Sequence, residues 1–265
     1  MKANATDSAP APRLLPLGDT AWTIEFGETI DPALHARVLG LAGALAQART
    51  VAGEGAADDG SFDAIVDVVP TFRSLTVHYR PLACDGECLG AALLRLAESS
   101  GTASREGRHW RIPVCFDDDF APDLADLAAA KGLSRETVIA LLTEATFEVY
   151  MIGFMPGFPY MGGLPTQLEM PRLSSPRKAV PARSLAIAGA MCAVYPWESP
   201  GGWRLLGRTP VPMFAVHDAE SPALLASGDR VCWRAIDREA YLEIEAAAAA
   251  GAFDRHGLLF PPEPS

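Results

Sequence analysis

The sequence predicts an α+β protein in two parts, a small helix-and-sheet domain over residues 13–107 and a compact β-barrel domain over residues 108–265. Three features carry that reading. The N-terminal part alternates strand-like and helix-like apolar patterns in the order β-α-β-β-α. Gly101 to Gly107 is short, polar and glycine-flanked, which is the form of a linker. From Phe147 to Asp237 the chain turns proline- and glycine-rich with short apolar runs, a pattern of short strands joined by long loops.

Taken in order, Leu14 to Phe26 reads as a strand, with Trp22, Ile24 and Phe26 alternating against Thr23 and Glu25. Asp31-Pro32 supplies an N-cap and a first-turn proline. Leu34, Val38, Leu41 and Leu45 follow at helical spacing, which gives that helix one buried face. Val51 to Ser61 is Gly/Ala/Asp-rich and reads as a loop. Phe62 to Val69 is a second strand, and Leu75, Val77 and Tyr79 alternate with Thr76, His78 and Arg80 in a third. A helix carrying Leu89, Leu93 and Leu96 ends before Ser99-Ser100-Gly101. Closed by a strand at His109 to Phe116, this is the order of a ferredoxin-like domain.

Beyond Phe116 two short helices are expected, Pro122 to Lys131 stopped by Gly132, and Ser134 to Ala145 with Ser134 as N-cap. The barrel strands are placed at Val149–Phe154, Ser184–Ala188, Ala193–Tyr195, Pro212–Val216 and Arg230–Arg234. A terminal helix from Asp237 to Ala250 ends at Gly251.

Lys+Arg 22 against Asp+Glu 33 leaves a net charge of −11. Nucleic acid and anionic membrane surfaces are bound by excess Lys and Arg, so the charge argues against both. No apolar run approaches the ~20 residues that span a bilayer. Met1 to Pro12 lacks an apolar core and reads as a frayed tail, not a signal peptide. Cys84, Cys88, Cys115, Cys192 and Cys232 form no disulfide or zinc pattern, which fits reduced thiols in a cytoplasmic protein.

Three segments stand out: Gly153-Phe-Met-Pro-Gly-Phe-Pro-Tyr-Met-Gly-Gly163, Pro171-Arg-Leu-Ser-Ser-Pro-Arg-Lys-Ala-Val-Pro181 and Glu198-Ser-Pro-Gly-Gly-Trp-Arg-Leu-Leu-Gly-Arg-Thr-Pro210. Glycines and prolines this dense fix a loop's path, and Gly201-Gly202 lets the backbone approach a ligand closely. Arg177, Arg204 and Arg208 flank that turn with the planar fork that binds carboxylate or phosphate. Singly, each is equally well a solvated or ion-paired surface group. Glu198 is the carboxylate placed in the motif for proton transfer. Asp117-Asp118-Asp119 reads as a solvated charge run, with no partner ligands spaced for a metal. No G-x-x-x-x-G-K-[ST] run and no G-x-S-x-G elbow is present, so a complete ATP-driven amidase on this chain alone is not expected.

Together these segments resemble the conserved block of the family that contains the B-type subunit of 5-oxoprolinase, a histidine-kinase inhibitor and allophanate hydrolase subunit 1. Leu17-Gly-Asp19, Ile112-Pro-Val114 and Ser227-Gly-Asp-Arg-Val231 extend the resemblance over most of the chain. It implies a ferredoxin-like N-terminal domain and a cyclophilin-like β-barrel C-terminal domain. It also implies one subunit of an ATP-dependent 5-oxoprolinase, opening 5-oxoproline to glutamate. The implied partners are a large biotin-carboxylase-like subunit (allophanate hydrolase subunit 2 type) and a lactam-utilisation subunit, with ATP used by the complex. On that reading Glu198, Ser199 and Arg177 are the catalytic candidates, and Arg208, Gly201, Gly202, Trp203, Met191 and Cys192 contact substrate. The alternatives are an inhibitor docking on a sensor histidine kinase through Gly153–Gly163, a divergent paralogue acting on another amide, and prolyl isomerisation by fold analogy. The chain departs from the family pattern at Leu142 (usually His), at Gly189-Ala-Met-Cys-Ala193 (often Gly-Gly-Gln-Thr-Gly) and at Arg183 (commonly Gly). If Leu142, Met191 and Cys192 line one pocket, that pocket is less polar than its family counterparts.

Overall fold

In the computed structural model, which describes residues 10–52, 61–102, 107–218 and 221–261, the single strand expected at the start is a hairpin. Arg13–Pro16 (β1) pairs antiparallel with Ala21–Glu25 (β2), and Gly18 between them takes the left-handed φ of +66°. Helix Pro32–Ala52 (α1) follows, then a 3-10 turn over Ser61–Ala64, strands Ile65–Pro70 (β3) and Ser74–Tyr79 (β4), and helix Gly86–Ser99 (α2). The antiparallel sheet has the order β1-β2-β4-β3. Its core joins Ile24, Leu75, Val77 and Tyr79 of the sheet to Val38, Leu41 and Leu45 of α1 and Leu89 and Leu93 of α2, the faces that the sequence periods select. Asp85 caps α2 by accepting from the N–H groups of Glu87 and Cys88 at 2.9 and 3.1 Å. Helix α1 runs through Ala52, past the expected start of the Val51–Ser61 loop. Residues 53–60 of that loop, 1–9 of the N-terminal tail and 103–106 of the linker lie outside the described residues.

The chain divides into two units, Met1–Arg105 and Glu106–Ser265. The second contains His109–Cys115 (β5), Leu124–Lys131 (α3), Arg135–Glu144 (α4), Phe147–Ile152 (β6), Pro159–Gly162 (β7), Arg177–Val180 (β8), Ser184–Ala188 (β9), Met191–Val194 (β10), Ser199–Gly201 (β11), Arg204–Arg208 (β12), Arg230–Ile236 (β13) and Arg238–Ala249 (α5). The strand expected to close the first sheet belongs here instead. β5 pairs parallel with β13 and antiparallel with β12, and its Trp110, Ile112 and Val114 are buried in the barrel core. Seven strands close in the order β10-β7-β6-β13-β5-β12-β9, and β11 and β8 form a separate two-stranded ribbon. The architecture is α+β, a ferredoxin-like unit followed in the chain by a cyclophilin-like barrel.

Strand alternation sorts the barrel's side chains into two cores. Leu185 and Ile187 of β9 and Cys192 and Val194 of β10 point inward, with Phe147, Val149, Val231 and Trp233. Leu124 and Leu127 of α3 and Val138 and Leu142 of α4 join the same core. Ala186 and Ala188 of β9, Ala193 of β10 and Leu205 of β12 face the other way, into a separate cluster. Ser134 accepts from the Thr137 N–H at 3.1 Å as the N-cap of α4, and Asp237 does the same for α5 through Ala240 at 2.9 Å. Pro212–Val216, expected as a strand, makes a single bridge from Phe214 to Ala223; its flanking and internal prolines, Pro210 and Pro212, withhold ladder donors. No helix among the described residues is long and apolar enough to cross a membrane.

One buried carboxylate ties the ends of the barrel sequence together. Asp229, 3% exposed, accepts from the Arg108 N–H and Nη2 at 2.9 Å each, from Trp110 Nε1 at 2.9 Å and from the Ala226 N–H at 3.0 Å. This explains the Ser227-Gly-Asp-Arg-Val231 motif structurally. Arg183, at the usual glycine position, adopts a φ of +66°; its guanidinium is held by Glu245 of α5 and by the Pro210 carbonyl at 3.0 Å.

Candidate functional site

The second cluster is an aromatic patch on the outward surface of β9, β10 and β12. The floor is built from Ala186, Ala188 and Ala193, and side chains that small leave room for rings above them. Phe158 stands edge-on to Tyr195 with centroids 5.1 Å apart and to Trp203 at 6.0 Å, while Tyr160 meets Trp203 at 5.9 Å. Edge-to-face contacts of this kind fix ring orientation as well as burying area. Met155 and Met191 pack at the cluster's edge.

The β8–β11 ribbon joins this cluster through Val180, which is packed in it. Ser199 pairs with Val180 and Gly201 pairs with Arg177. Directly opposed residues share a face, so Ser199 lies on the face of the ribbon that carries Val180. That oxygen is buried and has no hydrogen-bond partner among the described residues, a state that costs about 1–3 kcal/mol.

The ribbon is also fastened to the barrel by an ion pair. Asp123, 5% exposed and just before α3, accepts from Arg177 Nη2 at 2.6 Å and from the Leu205 N–H at 2.6 Å. Arg177 also reaches the Trp203 carbonyl at 3.4 Å. Its charge is therefore met by a buried carboxylate, and it holds the ribbon to β12 more than it offers itself to an anion.

Two phenols lie in the cluster, and burial pushes both above the usual tyrosine range. For Tyr195 a hydrogen bond with the Trp203 backbone works the other way, followed by the Arg172 cation. Arg172 likewise opposes the rise at Tyr160. Both hydroxyls are neutral donors at neutral pH.

Gly201 must be glycine for a local reason. A methyl group there would overlap the Tyr195 hydroxyl and lie 2.8 Å from Cζ. At Gly202 the nearest neighbour would be Pro176 Cγ at 3.6 Å, an ordinary contact. Gly201→Ala is accordingly expected to destabilise the chain by about 1–3 kcal/mol, and Gly202→Ala to stay within about 0.5 kcal/mol of the parent. Thermal denaturation of the two single variants checks this; equal losses would show that the Tyr195 overlap is not what matters.

The structure thus brings together Arg177, Ser199, Gly201, Gly202 and Trp203, with Met191 at their edge. It does not bring Arg208 to them. Arg208 sits at the far end of β12 from Arg204, roughly 13 Å along the strand. There its Nε donates to the Ala182 carbonyl at 2.9 Å, and its guanidinium lies 5.8 Å over the Phe120 ring. Cys192 faces the barrel interior, fully buried in the core that also holds Trp233 and Leu142, and burial pushes its thiol far up. Leu142, Met191 and Cys192 therefore do not line one pocket: the first and last are core residues, and Met191 alone reaches the aromatic cluster. Glu198 is solvent-exposed in the turn before β11. The Gly153–Gly163 segment is largely the β6–β7 hairpin, with Phe158 buried and Phe154 exposed at its tip.

Sequence reasoning missed Tyr160, Tyr195, Arg172 and Asp123. The tyrosines and Arg172 lie in or beside the motif segments, so their position carried a usable signal; Asp123 carried none, since it reads as an ordinary first-turn acid.

A family profile for the carboxyltransferase domain, subdomain C and D, matches residues 12–225. The chain belongs to that family. It is 35% identical to the B-type subunit of 5-oxoprolinase from Bacillus subtilis over 236 residues, covering 85% of this chain and 93% of that protein. With the corresponding 5-oxoprolinase subunit from Haemophilus influenzae the identity is 41% over 167 residues, covering 63% of this chain and 78% of that one. Among solved structures it is similar to TTHA0988, at 34% identity and a TM-score of 0.68, over 82% of this chain. The chain spans only 40% of that longer protein. Kluyveromyces lactis urea amidolyase, at 20% identity and a TM-score of 0.75, shares the fold over 94% of this chain and 16% of its own length.

Proposed function

We propose that the chain is the B-type subunit of an ATP-dependent 5-oxoprolinase, which opens 5-oxoproline to glutamate. Its partners would be a large biotin-carboxylase-like subunit (allophanate hydrolase subunit 2 type) and a lactam-utilisation subunit. The observation that carries this reading is the near-complete overlap with relatives named as the B-type subunit of 5-oxoprolinase, 93% and 92% of two of them. Hydrolysis of a lactam needs activation, because amide resonance makes the carbonyl a poor electrophile. Phosphorylating the amide oxygen supplies a leaving group. The nucleotide would be used by the assembled complex, since this chain carries no G-x-x-x-x-G-K-[ST] run that would mark a P-loop.

On this chain the aromatic cluster would seat the ring, while the Tyr160, Tyr195 and Ser199 hydroxyls offer hydrogen bonds to the amide. Ser199 is the residue we assign to substrate orientation or proton handling, because its oxygen is buried without a partner among the described residues. Arg177 then acts as a positioning residue through Asp123, and Glu198 as a solvent-facing group for proton exchange. Met191 at the cluster's edge, in place of a polar residue, is the feature that favours a more apolar amide as the alternative substrate.

The purified chain alone is expected to release neither phosphate nor glutamate from 5-oxoproline and ATP, and to do so once both partner subunits are added. Robust turnover by the isolated chain, or none by the reconstituted complex, would overturn the assignment.

A further inference from the structure

We propose that Arg172 is the receptor for a substrate carboxylate, so that this surface takes a small amide bearing a carboxylate beside an apolar ring. The inference rests on the amide reading above for its substrate class, and on four features of the structure for the residue.

The first is charge accounting. Arg177 is neutralised by Asp123 at 2.6 Å. Arg172 is exposed and has no carboxylate within 4.0 Å among the described residues. A guanidinium without a counter-charge beside such a cluster is free to take one from a ligand. The second is placement: its Cζ lies 5.7 Å over the Trp203 ring, and Trp203 in turn meets Tyr160 and Phe158. A carboxylate held there would leave its apolar remainder against those rings.

The third feature is preorganisation. The peptide on either side of Arg172 is pinned: the Pro171 carbonyl accepts from Arg204 Nε at 3.1 Å, and the Leu173 N–H donates to the Gly202 carbonyl at 2.7 Å. The backbone of Arg172 is thus fixed to the same Gly202–Arg204 turn that carries Trp203, and little ordering is left to do on binding. The fourth is sign: the Arg172 cation opposes the burial-driven rise at both Tyr160 and Tyr195, with Arg177 adding to it at Tyr195.

The chemistry that matches is one anionic group next to a compact apolar ring with a hydrogen-bonding amide. The carboxylate would pair with Arg172, the ring would lie on Trp203 and Tyr160, and the amide would meet the buried Ser199 hydroxyl.

Two measurements separate this inference from the functional reading. In the reconstituted complex, Arg172→Gln is expected to raise KM for 5-oxoproline about 10–100-fold with kcat within about twofold, and Arg172→Lys to recover part of the loss. Lys178→Gln, which removes an equally exposed cation from the neighbouring ribbon, is expected to leave KM unchanged. In the isolated full chain, NMR of the Tyr160 and Tyr195 rings is followed during titration with 5-oxoproline and with 2-pyrrolidinone, the same lactam without the carboxylate. Wild type is expected to bind the first at least about tenfold more tightly, and Arg172→Gln to bind both equally weakly. A complex that turns over 5-oxoproline with KM insensitive to Arg172 overturns the inference and spares the function. An inactive complex whose isolated chain still prefers the carboxylate through Arg172 does the reverse. Equal binding of the two lactams by wild type also overturns it.

Discussion

Asp229→Ala is expected to lower the stability of the chain by about 3–5 kcal/mol, the largest single-site effect we anticipate. The carboxylate is 3% exposed and receives five hydrogen bonds, from Arg108 (three, at 2.9–3.4 Å), Trp110 at 2.9 Å and Ala226 at 3.0 Å. Removing it strands the Trp110 indole N–H, on a residue that is 2% exposed, and two backbone donors. The buried indole donor costs about 1–3 kcal/mol, while the two backbone donors, on the exposed residues Arg108 and Ala226, recover part of their loss from water. The Arg108 side chain, 41% exposed, recovers part of its loss by hydration. Asp229→Asn keeps one acceptor but turns an amide NH2 toward those donors, so it is expected to fall between the parent and alanine. Urea denaturation followed by tryptophan fluorescence measures the series. An alanine variant within about 1 kcal/mol of wild type would mean that water replaces the carboxylate and the network is dispensable.

The second large effect is expected at Asp123. Asp123→Ala leaves Arg177 without its anion and the Leu205 N–H without its acceptor, at a site where the acid is 5% and the Arg177 side chain 28% exposed. A loss of about 2–4 kcal/mol follows. It is local in origin, because the pair fastens the β8–β11 ribbon to β12. Amide exchange at Ser199 and Gly201 is therefore expected to accelerate more than exchange in β9 or β13, and turnover by the reconstituted complex to fall at least about tenfold as Ser199 loses its registration. Arg177→Met on the Asp123→Ala background is expected to cost little more, since the interaction is already gone. Additive losses from the two changes would show that Asp123 and Arg177 act independently.

Where apolar side chains repeat with a clear period, the fold was legible. Leu34, Val38, Leu41 and Leu45 mark the buried face of α1, and Leu75, Val77 and Tyr79 that of β4. Ser184–Ala188 was placed to the residue, because its bounding prolines and glycines and its apolar run agree. What failed were features settled by distant pairing. The pattern of β5 suits either sheet, and only the partner β13 far along the chain decides its place. Strands β7, β8, β11 and β12 have five or fewer residues and sit among prolines and glycines, too short to show a period. The Ser199–Trp203 turn was legible as a site because its composition is costly without a purpose. The neutralisation of Arg177 was not, since it depends on an aspartate 54 residues away. The alternation that sends Met191 outward and Cys192 inward was available in the sequence, and applying it to β10 separates the two at once.

The parallel pairing of β5 with β13 sets a clock on folding. The residues joined at its edge, Arg108 and Asp229, are 121 positions apart. Ribosomes extend chains at about 5–20 residues per second, so β5 waits roughly 6–24 s for its partner to be synthesised. Until then the barrel cannot close, and Trp110, Ile112 and Val114 have nothing on one side to pack against. Contacts this non-local are slow to form even in a finished chain, because loop closure precedes their reward. The nascent protein therefore passes through an interval with an open, apolar strand edge. Its yield in a cell will depend on how that edge is shielded.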